Sequence, residues 1–516
     1  MSIKEYDVIV VGSGLGGLSC AAILAKDGYK VAVFERHHTP GGYCTNFKRK
    51  EFEFDASIHQ IAGCEPGGIL HDILVEAGAE NYVEFIKLDP AFKIISNNYE
   101  FEVPGDKKEY IKRLCEMFPE ETDGIRRYFS LNTKFFDFGK KFNNLSGIKQ
   151  VFYALRNMGT VISFLKHSKK TLQEVLDEYF TNPDLQEIVS QLWGFLGLPP
   201  SQLSYVYFTV GITTYLEEGA FYPKGGSQKI SDAFVRAMKE NGGDLFLNSE
   251  VEEILIENKA VKGVKLKNGE IYKASVVVSN ADGVVTFNKL IKSKDLPKKY
   301  IKKINNMVPS ISAISAYLGL DIDIEKFGIK HFDIMINKSI NPDNYYKEII
   351  DGIKSESFVV SVYTNVDKSF APPGKSGVTI LNLASWGDKK ENRWKLEPDG
   401  SRGEAYRKNK EMWLEWLVSR AETLIPELRN HIEVAEVATP VTYNRYTLNQ
   451  GGALVGWASS REQSIRNRLP QKTPIKGLYL ASAWAYPGGG VNGVTMGGQW
   501  CARIIRKKHK IKKKFN

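Results

Sequence analysis

The 516-residue chain has few cysteines: Cys20, Cys44, Cys64, Cys115 and Cys501 lie scattered, with no CxxC pair. That excludes a zinc ribbon or a thioredoxin-type redox pair, and an odd, patternless set predicts a reducing, cytoplasmic setting. No run of eighteen uninterrupted apolar residues occurs, so no helical bilayer span is expected. The apolar stretch near the N-terminus is short and runs straight into glycines, unlike a secretory signal. Internal repeats and low-complexity linkers are missing. Acidic residues are missing from Arg503 onward, where Arg503, Arg506, Lys507, Lys508, Lys510, Lys512, Lys513 and Lys514 accumulate. Those eight charges, taken from the net +10, leave +2 for everything else. The body is nearly neutral, so a nucleic-acid partner is not expected. The basic end, with 511–516 as its tail, reads as solvated or as drawn to anionic lipid on the inner face of a membrane.

What is present is an ordinary globular composition, 42% apolar and 25% charged, at a length that favours two joined domains. Tyr6–Val11 is a continuous apolar, largely β-branched run, the pattern of a buried parallel strand. Gly12-Ser13-Gly14-Leu15-Gly16-Gly17 follows, then a helix over about 18–27, and a second strand over Lys30–Phe34 that ends on the acid Glu35. In a G-x-G-x-x-G turn, Gly12 allows the sharp bend, Gly14 lets the backbone approach a pyrophosphate, and Gly17 lets helix and strand pack closely. The pyrophosphate would sit on the free N–H groups of the helix N-terminus, and Glu35 would accept hydrogen bonds from the ribose hydroxyls. Strand, turn, helix and terminal acid together make a dinucleotide-binding unit.

Helical periodicity dominates about 105–200. A helix is expected around Ser227–Glu240, then strands near Leu245–Leu247, Glu252–Glu257, Val261–Lys267 and Ser275–Ser279. Further strands are expected at Ala313–Gly319, Phe358–Tyr363 and Val378–Leu383, with a long helix near Arg402–Leu424. The fold class is therefore α/β: a Rossmann-like nucleotide-binding domain assembled from 1–75, 221–290 and 440–510, with an α+β substrate and membrane-facing domain over 76–220 and 291–439.

Several stretches carry a family resemblance. Glu35-Arg36 followed by Gly41-Gly42 matches the E-[KR]-x(4)-G-G continuation of the amine oxidase and phytoene desaturase flavoproteins. Leu478–Gly493, with Pro487-Gly488-Gly489-Gly490 turning into a helix over Val491–Arg506, resembles their closing motif. Phe52–His59 resembles the F-x-F-D-x-G-x-H stretch of retinol saturases and carotenoid isomerases. Tyr222–Gly226, Val276–Asp282, Thr439-Pro440 and Arg445-Tyr446-Thr447 follow in the same order. The chain thus resembles the phytoene desaturase, carotenoid isomerase and retinol saturase group. The resemblance implies FAD, and redox or isomerisation at C–C and C=C bonds of a long apolar polyene, isoprenoid or unsaturated lipid, with hydride exchange at flavin N5. A second dinucleotide fingerprint, as in glutathione-reductase-like enzymes, is missing, so no nicotinamide domain is expected, and the electron partner stays open.

By the same resemblance, cofactor contacts fall on Gly12, Ser13, Gly14, Gly16, Gly17, Glu35, Arg36, Gly41, Gly42, Tyr43, Val251, Ala483, Gly490, Val491 and Asn492. The helix that begins at Val491 would point its positive end at the flavin ring. The family usually has Gly-Asp where this chain has Ser482-Ala483, so the contact that the acid makes must come from elsewhere. Candidate catalytic side chains are His59, Trp484 and Tyr486, and no metal ligands are expected. Each has a structural alternative: His59 as a satisfied buried histidine, the two aromatics as packing beneath the flavin. Cys501 reads as core, and Glu217-Glu218 as a solvated pair. Val151, Leu155, Met158, Ile162 and Leu165 share one helical face flanked by Lys149, Arg156, Lys166, Lys169 and Lys170, the pattern of an interfacial helix. Two other readings remain open: a flavin amine oxidase, and a lipid-binding escort of the same fold without chemistry.

Overall fold

The computed structural model describes residues 4–145, 147–292, 296–338, 341–387 and 391–509. The tail 511–516 and Lys510 therefore lie outside the described residues.

The expected unit at the N-terminus forms the middle of a five-stranded parallel sheet. Its order is Asp244–Phe246, Val31–Phe34, Val8–Val11, Val276–Ser279 and Leu478–Leu480. Val8–Val11, Val31–Phe34 and Val276–Ser279 are buried throughout, which is why their sequences are unbroken apolar runs rather than alternating ones. The helices Leu15–Lys26 and Val491–Lys508 pack together on one face. They approach closely: a Cβ at Gly498 would lie 2.1 Å from Ser19 Oγ, and one at Gly16 would lie 2.5 Å from the Ala481 carbonyl oxygen. A smaller sheet of Lys4–Glu5, Ile271–Lys273, Ala260–Leu266 and Val251–Glu257 lies next in the chain to these strands.

A seven-stranded sheet forms the second layer system, in the order Ile432–Ala438, Ser312–Leu320, Ser376–Ala384, Phe358–Val362, Asp333–Asn337, Phe92–Ser96 and Glu100–Val103. Neighbours are antiparallel except Asp333–Asn337 with Phe92–Ser96. Side-chain alternation gives this sheet two apolar faces. Val360, Val362 and Ile380 cluster with Trp413, Leu417 and Ala421 of the helix Glu404–Ala421. Met335, Val359 and Leu383 instead join a cluster with the helices between Lys107 and Glu218.

The amphipathic stretch is two helices rather than one, Ile148–Arg156 and Met158–His167, broken at Asn157, whose φ of −111° and ψ of 32° leave the helical region. The apolar side chains singled out from the sequence do face outward: Val151, Phe152, Leu155, Met158, Ile162 and Leu165 are exposed, as is Ile148. Phe164 turns inward onto Phe135. Among the described residues no helix is long and apolar enough to cross a membrane.

Candidate flavin and substrate site

The fingerprint turn is fixed by its neighbours. Gly12 has φ +92°, a left-handed conformation that favours glycine. A Cβ at Gly17 would fall 2.6 Å from the Gly12 carbonyl oxygen, so this glycine does serve close helix–strand packing. At Gly14 the structure shows a further constraint. Its N–H donates to Asn280 Oδ1 (2.9 Å), and an added Cβ would lie 2.5 Å from that same atom. Asn280 also donates through Nδ2 to the Ala481 carbonyl, so one side chain ties the first glycine turn to the end of the last strand. Glu35 is buried, and its carboxylate accepts from the Ser13 N–H (2.8 Å), the Ser13 hydroxyl (2.7 Å) and the His37 N–H (2.8 Å). The acid is thus locked beside the turn, on the cavity wall.

Gly41 and Gly42 close the cradle. Gly41 donates its N–H to the Ser13 carbonyl (2.9 Å), and a Cβ there would strike the Cys44 carbonyl oxygen at 2.3 Å. Gly42 is left-handed at φ +64°. Tyr43 hydrogen-bonds the carbonyls of Gly452 and Ala453, and Arg36 donates to the Arg445 carbonyl.

Gly12, Ser13, Gly14, Gly16, Glu35, Arg36, Gly41, Gly42 and Tyr43, though not Gly17, line one end of a cavity of about 1610 Å³, together with Val251, Ala483, Trp484, Gly490, Val491 and Asn492. The two glycine-rich turns, far apart in sequence, thus border a single space. Gly490, at φ +81°, has open space where a side chain would be, so the N-terminus of the last helix is uncovered toward the cavity. Asn492 donates to the Ala62 carbonyl (3.0 Å), while its buried Oδ1 finds no protein partner. Gln60, on the same wall and 5% exposed, has both amide atoms unpartnered. Orphaned polar atoms in a wall call for a polar ligand, because each would otherwise cost about 1–3 kcal/mol. A nucleotide cradle, an uncovered helix N-terminus and unpaired amides are together a fit for FAD. At Ala483, where an acid was missing, the backbone carbonyl accepts from Arg468 Nη1 (3.0 Å). That guanidinium is buried, with no carboxylate partner among the described residues, and burial pushes its pKa down.

The same cavity continues past His59. The segment that carries it is pinned by Asp55, fully buried, which accepts from the Ile58 N–H (2.9 Å), the Ser227 N–H (2.9 Å) and the Tyr222 hydroxyl (2.8 Å). The Tyr317 and Tyr363 hydroxyls donate to the carbonyls of Ala56 and Ile58. His59 Nδ1 meets Ser361 Oγ at 2.8 Å and Asp333 Oδ1 at 3.2 Å, and the Ser361 hydroxyl donates to Asp333. With that hydroxyl proton committed, Nδ1 must carry a proton of its own, and Nε2 is left without a protein partner on the ring that lines the cavity. Burial alone would push the His59 pKa down; the charge and hydrogen bond of Asp333, with the charge of Asp55, outweigh it and the net shift is upward. His59 is thus buried and satisfied on one edge and cavity-facing on the other.

Beyond His59 the walls are apolar, with Trp193, Phe195, Leu196, Met335, Phe358, Leu381 and Leu383. Trp484 lines the cavity but is tied down, its ring N–H reaching Asn449 Oδ1 (3.2 Å) and its face meeting Trp457 edge-on at 4.6 Å. Tyr486 is set apart from the cavity: its ring stacks on Trp500 (5.1 Å). The cis peptide at Tyr486-Pro487 belongs to the same turn. Glu217 and Glu218 are not a solvated pair. They end the helix Tyr205–Glu218 in ion pairs with Lys107 and Lys140, each at 2.6 Å. Cys501 is core. No cluster of histidine, cysteine or carboxylate groups suited to a metal occurs among the described residues.

Sequence reasoning missed Asn280, Gln60, Asp333 and Glu187. Asn280 and Gln60 lie within or beside the quoted motifs, so their neighbours were the signal. Asp333 and Glu187 come from distant elements and have none.

Comparison with known proteins agrees with this geometry. The model of a family described as flavin containing amine oxidoreductase matches residues 15–506. An all-trans-retinol 13,14-reductase of Danio rerio is 27% identical, over 92% of this chain and 82% of its own. A 4,4'-diapophytoene desaturase (4,4'-diapolycopene-forming) of Methylomonas sp is also 27% identical, over 98% of this chain and 96% of its own. Among solved structures, an oxidoreductase from Methanosarcina mazei superposes with a TM-score of 0.62 at 21% identity, covering 96% of this chain and 100% of that one.

Proposed function

Because the chain belongs to the family of flavin containing amine oxidoreductases, we propose that this FAD-dependent oxidoreductase acts on the C–C and C=C bonds of a long apolar polyene, isoprenoid or other unsaturated lipid. One observation carries the reading: the cavity that begins at the nucleotide cradle runs on, unbroken, into an apolar slot. An amine substrate would need a counter-charge for its ammonium group beside the flavin, and the wall there offers the Nε2 edge of His59, the neutral amides of Gln60 and Asn492, and apolar rings. The two relatives named above work on bonds of this kind in opposite senses, one reducing and one desaturating.

Bound FAD would supply the hydride exchange. Gly12–Gly16, Glu35, Arg36, Gly41, Gly42, Tyr43 and Val251 would hold its nucleotide half, and Ala483, Gly490, Val491 and Asn492 its ring half. The helix that starts at Val491 places positive potential at that end. His59, fixed through Nδ1 by Asp333 and Ser361, would hold or accept a proton at Nε2 over the substrate. Trp484 would serve as a rigid wall. The apolar slot excludes water from both.

The outward apolar face of Ile148–Arg156 and Met158–His167, rimmed by Lys149, Arg156, Lys166 and Lys169, supports docking on an anionic lipid surface from which such a substrate would be drawn. The test presents a panel of unsaturated lipids and amines, under anaerobic conditions, to the flavoprotein in its reduced and in its oxidised form, reading the flavin spectrum. Reoxidation by an unsaturated lipid is expected of a saturase, bleaching of the oxidised form of a desaturase, and double-bond movement without net redox change of an isomerase. A flavin that responds only to amines would contradict the proposal.

A further inference from the structure

The cavity does not end in hydrocarbon. Glu187, from the helix Pro183–Ser190, lines it together with Gln191 and with Asn337 at the end of the strand Asp333–Asn337. Asn337 Nδ2 donates to Glu187 Oε1 (2.7 Å) and to Gln191 Oε1 (2.5 Å), which uses both of its hydrogens. Tyr99 donates to Glu187 Oε2 (2.9 Å), and Gln191 Nε2 donates to Asn337 Oδ1 (3.3 Å). Glu187 is 5% exposed and pairs with no cation among the described residues. Burial pushes its carboxyl up to about 7, against the hydrogen bonds from Tyr99 and Asn337. A buried acid with no counter-charge is costly in a wall that otherwise serves an apolar chain, and the apolar residues Trp193, Met335 and Phe358 belong to the same lining.

Counting donors and acceptors gives the ligand. After its internal bonds the cluster retains capacity on the Glu187 carboxyl, an acceptor when ionised and also a donor when protonated, and one N–H on Gln191. A hydroxyl group donates one hydrogen and accepts one, which matches that remainder. A carboxylate would meet Glu187 as a like charge. An ammonium would pair with Glu187 only in its ionised form, brings no acceptor, and would leave the Gln191 N–H unmet. A bare hydrocarbon end would leave both unmet.

We propose that Glu187, Gln191 and Asn337 form a terminal subsite that receives the hydroxyl end of the apolar substrate, so that this chain acts on a polyene alcohol rather than on a hydrocarbon. This rests on the polyene reading above and narrows it.

The experiment uses the FAD-loaded protein and a matched series on one all-trans retinoid skeleton, ending in methyl, hydroxymethyl, aminomethyl or carboxylate. Binding is read by quenching of tryptophan fluorescence, since Trp193 lines the same cavity. The alcohol is expected to bind about tenfold or more tighter than the methyl compound, the worth of a hydrogen bond to a charged group. Glu187→Gln and Gln191→Leu should each bring that ratio toward unity. Two separate substitutions guard against one that fails to fold. Binding of the series without preference for the alcohol would overturn this inference alone, as would tightest binding of the amine or the acid. Failure of every member to bind would overturn the polyene reading and the subsite with it.

Discussion

At the scale of single residues, the chemistry of His59 is set by a carboxylate that the sequence places 274 positions away. Asp333 holds Nδ1 and raises the imidazole's proton affinity, so the ring keeps its charge to a pH above the ordinary value near 6.5. A histidine pKa raised by folding stabilises the native state fully below that ordinary value, and the contribution fades as pH climbs through the raised one. Asp333→Asn should therefore move the His59 titration, followed by NMR of the ring protons, to lower pH. It should also flatten the fall in thermal stability as pH rises above the ordinary histidine value. An unchanged titration would show that Asp333 does not govern the proton on His59. Activity should drop about 10²-fold or more if Nε2 handles a proton in turnover. His59→Ala should bring the same loss without release of FAD.

At the scale of elements, the site depends on two helices that touch through glycines, with only the small Ser19 side chain between them there, its hydroxyl reaching the Thr495 carbonyl (3.2 Å). Gly498 sits against Ser19 and the Gly16 carbonyl, so Gly498→Leu should push Val491–Lys508 off Leu15–Lys26. A destabilisation of about 1–3 kcal/mol is expected, with FAD lost in parallel, read by calorimetry and by the visible flavin band. A stable, yellow variant would mean that this contact does not align the two turns. Much of this scaffold was legible in the sequence. Buried parallel strands write themselves as unbroken apolar runs, and the turn from Val11 to Leu15 needs glycine at positions that the chain displays. The strands Phe92–Ser96, Asp333–Asn337 and Ile432–Ala438 were not legible. The first two carry polar residues on a mixed sheet, and the last is an edge that alternates with acids. The amphipathic face was readable, but its break at Asn157 was not, because a single asparagine carries no strong stop signal. The floor of the substrate slot escaped for a different reason. Asp333 and Glu187 are isolated acids in sequence, and only the packing of the folded chain brings Glu187 to the cavity and Asp333 to His59 behind its wall. The same holds for Glu217 and Glu218, whose partners Lys107 and Lys140 lie in two earlier helices, Lys107–Met117 and Thr122–Asn143.

At the scale of the whole molecule, the outward apolar helices and the cavity form one functional argument: a lipid taken from a surface has to be held away from water until it meets the flavin. Phe152→Asp combined with Ile162→Asp removes two of the most exposed apolar side chains. It should abolish cosedimentation with anionic vesicles while leaving the melting temperature within a degree or so, because surface changes seldom exceed ±0.5 kcal/mol. Retained vesicle binding would move the docking surface elsewhere. All of these expectations presuppose that the turn at Gly12–Gly17 and the turn at Gly488–Gly490 grip the same cofactor. The direct measurement is the amount of FAD released on denaturing the purified chain, compared with that of Glu35→Ala and Asn492→Leu. One FAD per wild-type chain, with a sharp fall in both variants, is the predicted result; a chain that carries no FAD, or that keeps it fully in either variant, would contradict the account.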